Sequence, residues 1–249
     1  MSFIRAILYY VIIFASMCII GVPYMLIRGG IFGQWQQCTR LCAIFFRALF
    51  KIFGIKVVVE GAENIPQNTR YVIVANHQSF LDINVIWPNI AICSFIAKEE
   101  LWHAPIFGWV LTNVGCIPVH HKNPRLNAGM GKLVEDRLEH GYTISVFPEG
   151  HRSVDGKLLK FQSGIFRMAK ENNFALLPIT LIGTGERLSK VKWSLKPGVV
   201  KIVVHPLQTP ESFADKPMTD LRDEIHDMIE SALPYKQQEI TANAANKEA

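Results

Sequence analysis

Between Ala6 and Ile27 the chain carries no charged side chain, and Arg5 and Arg28 bracket the run. About 20 apolar residues suffice for a helix to cross a hydrocarbon core of roughly 30 Å, so the amino end is predicted to be a membrane element. A cleaved signal peptide is the competing reading. Its apolar region would be about 7 to 15 residues long and end in a small-residue A-x-A site, and no such site follows here. Gly21 and Pro23 fall late in the run. One adds backbone freedom and the other removes a donor, so a bend is expected there.

After Arg28-Gly29-Gly30, a second apolar stretch runs from Trp35 to Phe53, punctuated by Arg40, Arg47 and Lys51. Basic side chains a helical turn or two apart can snorkel to lipid headgroups while Leu41, Ile44, Phe45 and Leu49 face acyl chains. This reads as an interfacial helix; a second span and a soluble helix packed on the domain are the other readings. If the first segment spans, the four cations after it against Arg5 before it put the larger part of the chain on the cytoplasmic face of the cell membrane.

The remaining composition constrains class more than function. With 249 residues, 49% hydrophobic and 19% charged, the chain is neither disordered nor collagen-like and can bury one good core. A formal charge of +5 suits anionic lipid or a phosphorylated substrate and does not announce nucleic-acid binding. Five cysteines with no C-x-x-C and no histidines at zinc spacing indicate neither a disulfide framework nor a metal site.

Beyond Gly54, β-branched runs at 55–60, 71–75, 92–97, 116–120, 143–147, 175–181 and 199–205 predict strands of a largely buried sheet. Helical patterns at 79–87, 105–113, 124–140, 163–172 and 219–232 lie between and after them. The fold class is therefore α/β, a mostly parallel or mixed sheet flanked by helices, with an amino-terminal helical membrane element. Three parts are expected: membrane-associated helices over 1–53, an α/β domain over 54–234, and a flexible polar tail over 235–249.

Two polar clusters follow predicted strands, where α/β sheets gather ligands. The first is Asn76-His77-Gln78-Ser79-Phe80-Leu81-Asp82. If a helix starts near Ser79, Asp82 in its first turn reaches back to His77, giving a base and the carboxylate that fixes its tautomer. Ser79-x-x-Asp82 is equally a capping box. The second is Phe147-Pro148-Glu149-Gly150-His151-Arg152-Ser153. Gly150 permits a tight turn, and Arg152 offers a planar fork suited to phosphate. Its plain reading is a polar turn with a surface ion pair between Glu149 and Arg152.

Together the clusters resemble the N-H-x-x-x-x-D and F-P-E-G-T-R-S blocks of the glycerolipid acyltransferase family, in the same order and about 70 residues apart. The similarity continues in Ala97-Lys98-Glu99-Glu100-Leu101, Gly115-Cys116-Ile117-Pro118-Val119 and Leu177-Pro178-Ile179, covering roughly 71–181. Within the family it is similar to the 1-acyl-sn-glycerol-3-phosphate acyltransferase (PlsC-like) type. The resemblance implies that His77 deprotonates an acceptor hydroxyl for attack on an acyl thioester while Asp82 orients it. It further implies that Glu149, Gly150, Arg152 and Ser153 help form the acceptor site, with the arginine near its phosphate. Lys98 sits in the block associated with substrate phosphate or donor. No metal and no cofactor are implied; acyl-CoA or acyl-carrier protein is a co-substrate, and the partners are membrane lipid and a lysophospholipid, not nucleic acid.

Three departures bear on the acceptor. Where the family's second block ends in an arginine, this chain has His120-His121-Lys122, so His121 or Lys122 is the expected substitute contact. Both histidines are equally readable as strand-end residues without a ligand. His151 replaces the commoner threonine, and Phe161-Gln162-Ser163-Gly164 stands for F-K-x-G. Another lysolipid or glycerol 3-phosphate as acceptor, a membrane-anchored thioesterase or esterase, and a non-catalytic lipid-binding protein are the alternatives.

Overall fold

In the computed structural model, which describes residues 1–67, 69–189 and 191–248, the first helix runs unbroken over Ser2–Ile31. Call it α1. It is long and apolar enough to cross a membrane. Around Pro23 the helix takes π-helical turns, at Met17–Gly21 and Leu26–Ile31. The wider turn leaves room for the carbonyl that a proline ring would otherwise strike. The first half of α1 leans on the domain: Ala6 and Tyr9 are buried, and Arg5 donates to the Phe53 carbonyl at 2.6 Å. Its other faces are apolar and uncovered, with Phe14 62% and Ile19 73% exposed.

The second helix, α2, is Trp35–Phe53, ended by Gly54 in the left-handed conformation. Leu49, Phe50 and Phe53 face inward, while Arg40, Ile44, Arg47 and Ile52 face out.

Strands β1 (Ile55–Glu60), β2 (Tyr71–Ala75), β3 (Cys93–Lys98), β4 (Ile117–Val119), β5 (Thr143–Val146), β6 (Ala175–Ile182) and the last strand, Gly198–Val204, form one sheet. In space their order is β1, last strand, β6, β2, β5, β3, β4. All pairings are parallel except that of β6 with the last strand. Helix α3 (Leu81–Asn89) follows β2, two residues later than the sequence pattern placed its start. Alternate residues of β2 go to opposite faces: Ile73 and Ala75 pack with α2 and α3, and Val72 and Val74 with helices Met130–Glu139, Gly164–Asn172 and Met218–Ser231. The result is a three-layer α/β/α core.

Two details lie outside the sequence pattern. A two-strand ribbon pairs Leu188–Ser189 with Ser194–Leu195 beside α1. The polar carboxyl segment is helical over Pro234–Glu248; lysine, glutamine, glutamate and alanine favour helix without any apolar stripe to announce it.

Topology positions the site. The chain leaving β2 turns toward β3 on one side, whereas the chain leaving its neighbour β6 turns back to the last strand on the other. Neighbouring strands whose exits diverge open a crevice at their carboxyl ends, the usual ligand position in such sheets.

Candidate active site

His77 stands in that crevice. Its Nδ1 lies 2.7 Å from Asp82 Oδ2, and the same oxygen accepts the backbone N–H groups of Gln78 at 2.7 Å and Ser79 at 2.8 Å. An ionised carboxylate oxygen only accepts, so Nδ1 carries the proton and Nε2 keeps its lone pair. Nε2 has no partner among the described residues, and the side chain is 17% exposed. Asp82 is fully buried, and its Oδ1 has no donor.

The capping reading and the base-orienter reading of this segment prove to be one arrangement. Leu81 N–H donates to Ser79 Oγ at 3.1 Å while Asp82 holds the Ser79 N–H, so the turn that caps α3 also aims the carboxylate at His77. Ser79 Oγ in turn donates to the Leu188 carbonyl at 2.7 Å, tying the turn to the ribbon.

The second cluster closes on the first. Glu149 Oε1 accepts the His77 backbone N–H at 2.6 Å, its Oε2 accepts Leu159 N–H at 3.0 Å, and Ser153 N–H donates to the His77 carbonyl at 2.8 Å. Glu149 is buried and pairs with those amides, not with Arg152 as the plain reading had it. Burial pushes its carboxyl up to about 8; the two amide bonds pull down, and the nearby Asp82 charge adds to the rise. Ser153 is also buried, its hydroxyl spent on Asp155 at 3.1 Å. Both residues meet His77 through its backbone.

Gly150 takes φ +74°, a left-handed turn that favours glycine, while an added Cβ would touch only the His121 ring, at 3.7 Å. His121 is exposed and therefore stands against the Gly150 turn. His120 pairs with Glu99, and its backbone is held by Asn127 on both sides, which makes it a strand-end brace. Lys98 is exposed at the carboxyl end of β3, two strands from β2 and so about 10 Å across the sheet. It shares the edge with His77 without touching it.

Arg152 is half-buried, has no ion pair among the described residues, and lies within electrostatic reach of Tyr10 of α1. Tyr10 also meets Phe80 at 5.7 Å between ring centroids, and Asn84 of α3 donates to the Tyr9 hydroxyl at 2.7 Å. The membrane helix is thus seated on the helix that carries Asp82.

Three contributors lay beyond the sequence reading. Phe147 stacks under the His77 ring at 4.1 Å and 16°, with Phe95 beyond it at 6.3 Å. Asn76 locks β2 to β6, donating to Leu181 O at 2.9 Å and accepting from Leu181 N at 2.7 Å. Tyr10 is the third. An aromatic ending β5 and an asparagine ending β2 were visible signals; the strand order that gives them meaning was not.

Comparison with known proteins gives the family. The family model described as Acyltransferase matches residues 56–182. A chloroplastic 1-acyl-sn-glycerol-3-phosphate acyltransferase of Arabidopsis thaliana is 37% identical over 152 residues, covering 60% of this chain. The chain spans 43% of that relative's length. A Chlamydomonas reinhardtii protein of the same description is 32% identical over 93% of this chain and 70% of its own length. The crystal structure of a 1-acyl-sn-glycerophosphate acyltransferase, PlsC, from Thermotoga maritima superposes with a TM-score of 0.76 at 28% identity, covering 92% of this chain and 93% of that one. The chain belongs to the acyltransferase family.

Proposed function

We propose that the protein transfers a fatty acyl group from an acyl thioester to the free hydroxyl of 1-acyl-sn-glycerol 3-phosphate, giving phosphatidic acid for phospholipid synthesis. The observation that carries this is the His77–Asp82 pair: a proton fixed on Nδ1 by a buried carboxylate and an open Nε2 at a switch point of the sheet. The substrate follows from the relatives, which are described as acylating that acceptor.

His77 Nε2 removes the hydroxyl proton as the oxygen attacks the thioester carbon. Asp82 steadies the imidazolium that forms, and the proton then leaves with the thiol of the donor. Attack is direct, so no acyl-enzyme is needed. Glu149 and Ser153 hold the backbone of His77, and the Phe147 face fixes the plane of the ring; in proximity catalysis such positioning supplies much of the rate. Arg152 is the free guanidinium nearest the pair and is assigned to the acceptor phosphate. His121, against the Gly150 turn, is assigned to the same end of the acceptor, and Lys98 to the donor side.

Acyl-CoA or acyl-carrier protein serves as donor, and no metal is assigned. The uncovered apolar faces of α1 and α2 keep the enzyme at the bilayer, on the cytoplasmic side by the distribution of basic residues. An acyl chain can then remain in lipid while its headgroup reaches His77.

The test offers purified full-length protein a labelled acyl thioester with lysophosphatidic acid, glycerol 3-phosphate or a neutral lysolipid. Labelled phosphatidic acid with the first acceptor alone is expected. Label appearing as free fatty acid whatever the acceptor would instead make the protein a thioesterase.

A further inference from the structure

At the end of the sheet away from His77, α2 crosses the end of α3 and the turn into β3, leaving a groove of about 380 Å³. Arg40, Ile44, Arg47, Trp87, Pro88 and Ile92 line it. Arg40 and Arg47 stand two turns apart on the outer face of α2, about 10 Å along the axis. The sequence has no acidic residue between Arg28 and Glu60, and none between Asp82 and Glu99, so neither lining segment offers a carboxylate to neutralise them. Arg47 donates to the Pro88 carbonyl, which holds it on the rim and leaves the rest of its fork free. Arg40 has no hydrogen bond or ion pair among the described residues.

Trp87, one of the lining residues, also carries a donor without an acceptor. The indole N–H of Trp87 is buried and unpartnered. A buried donor left so is costly, and a missing ligand or water is a standard reason for one. The floor is apolar, and α2 continues it outward with Ile44 65% and Ile52 69% exposed. Two guanidinium groups and an indole N–H around an apolar floor complement an amphiphile whose head is an anionic phosphate.

We propose that this groove binds the headgroup of one anionic phospholipid, its phosphate bridging Arg40 and Arg47 and accepting from Trp87, its glycerol end against Ile44. The site is separate from the acceptor site. Asn89 lies seven positions beyond Asp82 along α3, about 10 Å of helix, which places the lipid at the opposite end of that helix from the proposed base. The lipid pins α2 to α3 and does not itself react. An acidic protein would answer to the two arginines on the rim, but not to an apolar floor with a donor beneath them.

The experiment is native mass spectrometry of delipidated full-length protein in detergent, titrated with phosphatidylglycerol or phosphatidylcholine. One phosphatidylglycerol should be retained per chain at concentrations where phosphatidylcholine is not. The double variant Arg40→Gln/Arg47→Gln should weaken retention by roughly tenfold or more, and Trp87→Phe by several-fold, since a hydrogen bond to a charged group is worth about that. Lys51→Gln, on the same helix outside the groove, should change it less than about twofold. Arg40→Lys/Arg47→Lys keeps charge without the fork and should fall between wild type and the glutamine pair. Equal retention of the two lipids, or equal loss in Lys51→Gln, would overturn the site. Displacement by millimolar inorganic phosphate alone would reduce it to a simple anion site. Loss of binding to an acidic acyl-carrier protein with lipid retention unchanged would assign the arginines to that protein instead.

Discussion

Two histidines sit at opposite ends of the same sheet, and their surroundings give them opposite properties. His77 follows β2, its Nδ1 on a buried carboxylate and its ring 17% exposed. His205 follows the last strand, which runs antiparallel to β6, and is buried with Nε2 2.8 Å from Thr180 Oγ1. Thr180 gives its own proton to the Ile229 carbonyl at 2.9 Å, so its oxygen must accept from His205. Burial without a counter-charge drives the His205 pKa down to about 4. A neutral ring whose ring nitrogen is spent on a hydroxyl braces a core; a ring backed by a carboxylate with one nitrogen open is equipped to take a proton. The difference lies in the second partner, not in the strand end both share.

The largest effect expected of that contrast is on rate. His77→Ala should lower acyl transfer by about 10² to 10⁴, the usual worth of a positioned base, with the circular dichroism of the fold unchanged. Near-normal turnover would break the comparison outright. Asp82→Asn should lower kcat by about 10² to 10⁴ with little change in acceptor KM, because the ring survives but its tautomer and imidazolium lose support; a change confined to KM would give the aspartate a binding role instead.

At the other end of the sheet the effect is on stability. The folded pKa of His205 lies below its unfolded value, so the unfolded chain binds more protons as pH falls from about 6.5 toward about 4, and stability drops across that window by up to about 3 kcal/mol. His205→Gln, which can still donate to Thr180, should flatten this acid limb in denaturant titrations and leave turnover unchanged. An unaltered acid limb would mean that the ring is not held neutral. Glu149 runs the other way. Its folded pKa is raised, so stability is full below about 4.5 and declines as pH climbs toward about 8. Glu149→Gln should remove that decline and, with one backbone N–H left facing an amide, cost about 1 to 3 kcal/mol at low pH. If the slope persists in the variant, another group is responsible.

The contrast between the histidines was only half legible in the sequence. Strand runs, helix periodicity and a five-residue spacing bring His77 to Asp82, because those contacts are local along the chain. The bounds of α2, β1 and β2 and of helix Pro105–Asn113 follow directly from apolar patterning. Glu149 is different. Its place under His77 depends on β5 lying beside β2, a pairing 72 residues apart that no local pattern encodes. The sequence therefore marks Glu149 and Ser153 as polar loop residues, while strand order turns them into buried backbone ties. His205 carried no signal at all, since the hydroxyl that silences it comes from the neighbouring strand. The ribbon at Leu188–Leu195 escaped for a related reason: two-residue strands are too short to show alternation.

The smallest expected effect concerns Arg152. Arg152 lies within electrostatic reach of Tyr10 of α1 and has no carboxylate partner among the described residues. If its fork binds the acceptor phosphate, Arg152→Lys should raise the KM for lysophosphatidic acid by about tenfold at nearly constant kcat, because a point charge keeps attraction but loses the bidentate geometry. Arg152→Ala should raise it further, and added salt should then matter less, since the screened charge is gone. Tyr10→Phe separates acceptor binding from helix seating: it keeps the ring against Phe80 and removes only the hydroxyl. A KM shift in Arg152→Lys that Tyr10→Phe does not share places the arginine's work on the phosphate. Identical shifts in the two would mean that Arg152 serves to dock α1, leaving His121 to meet the headgroup.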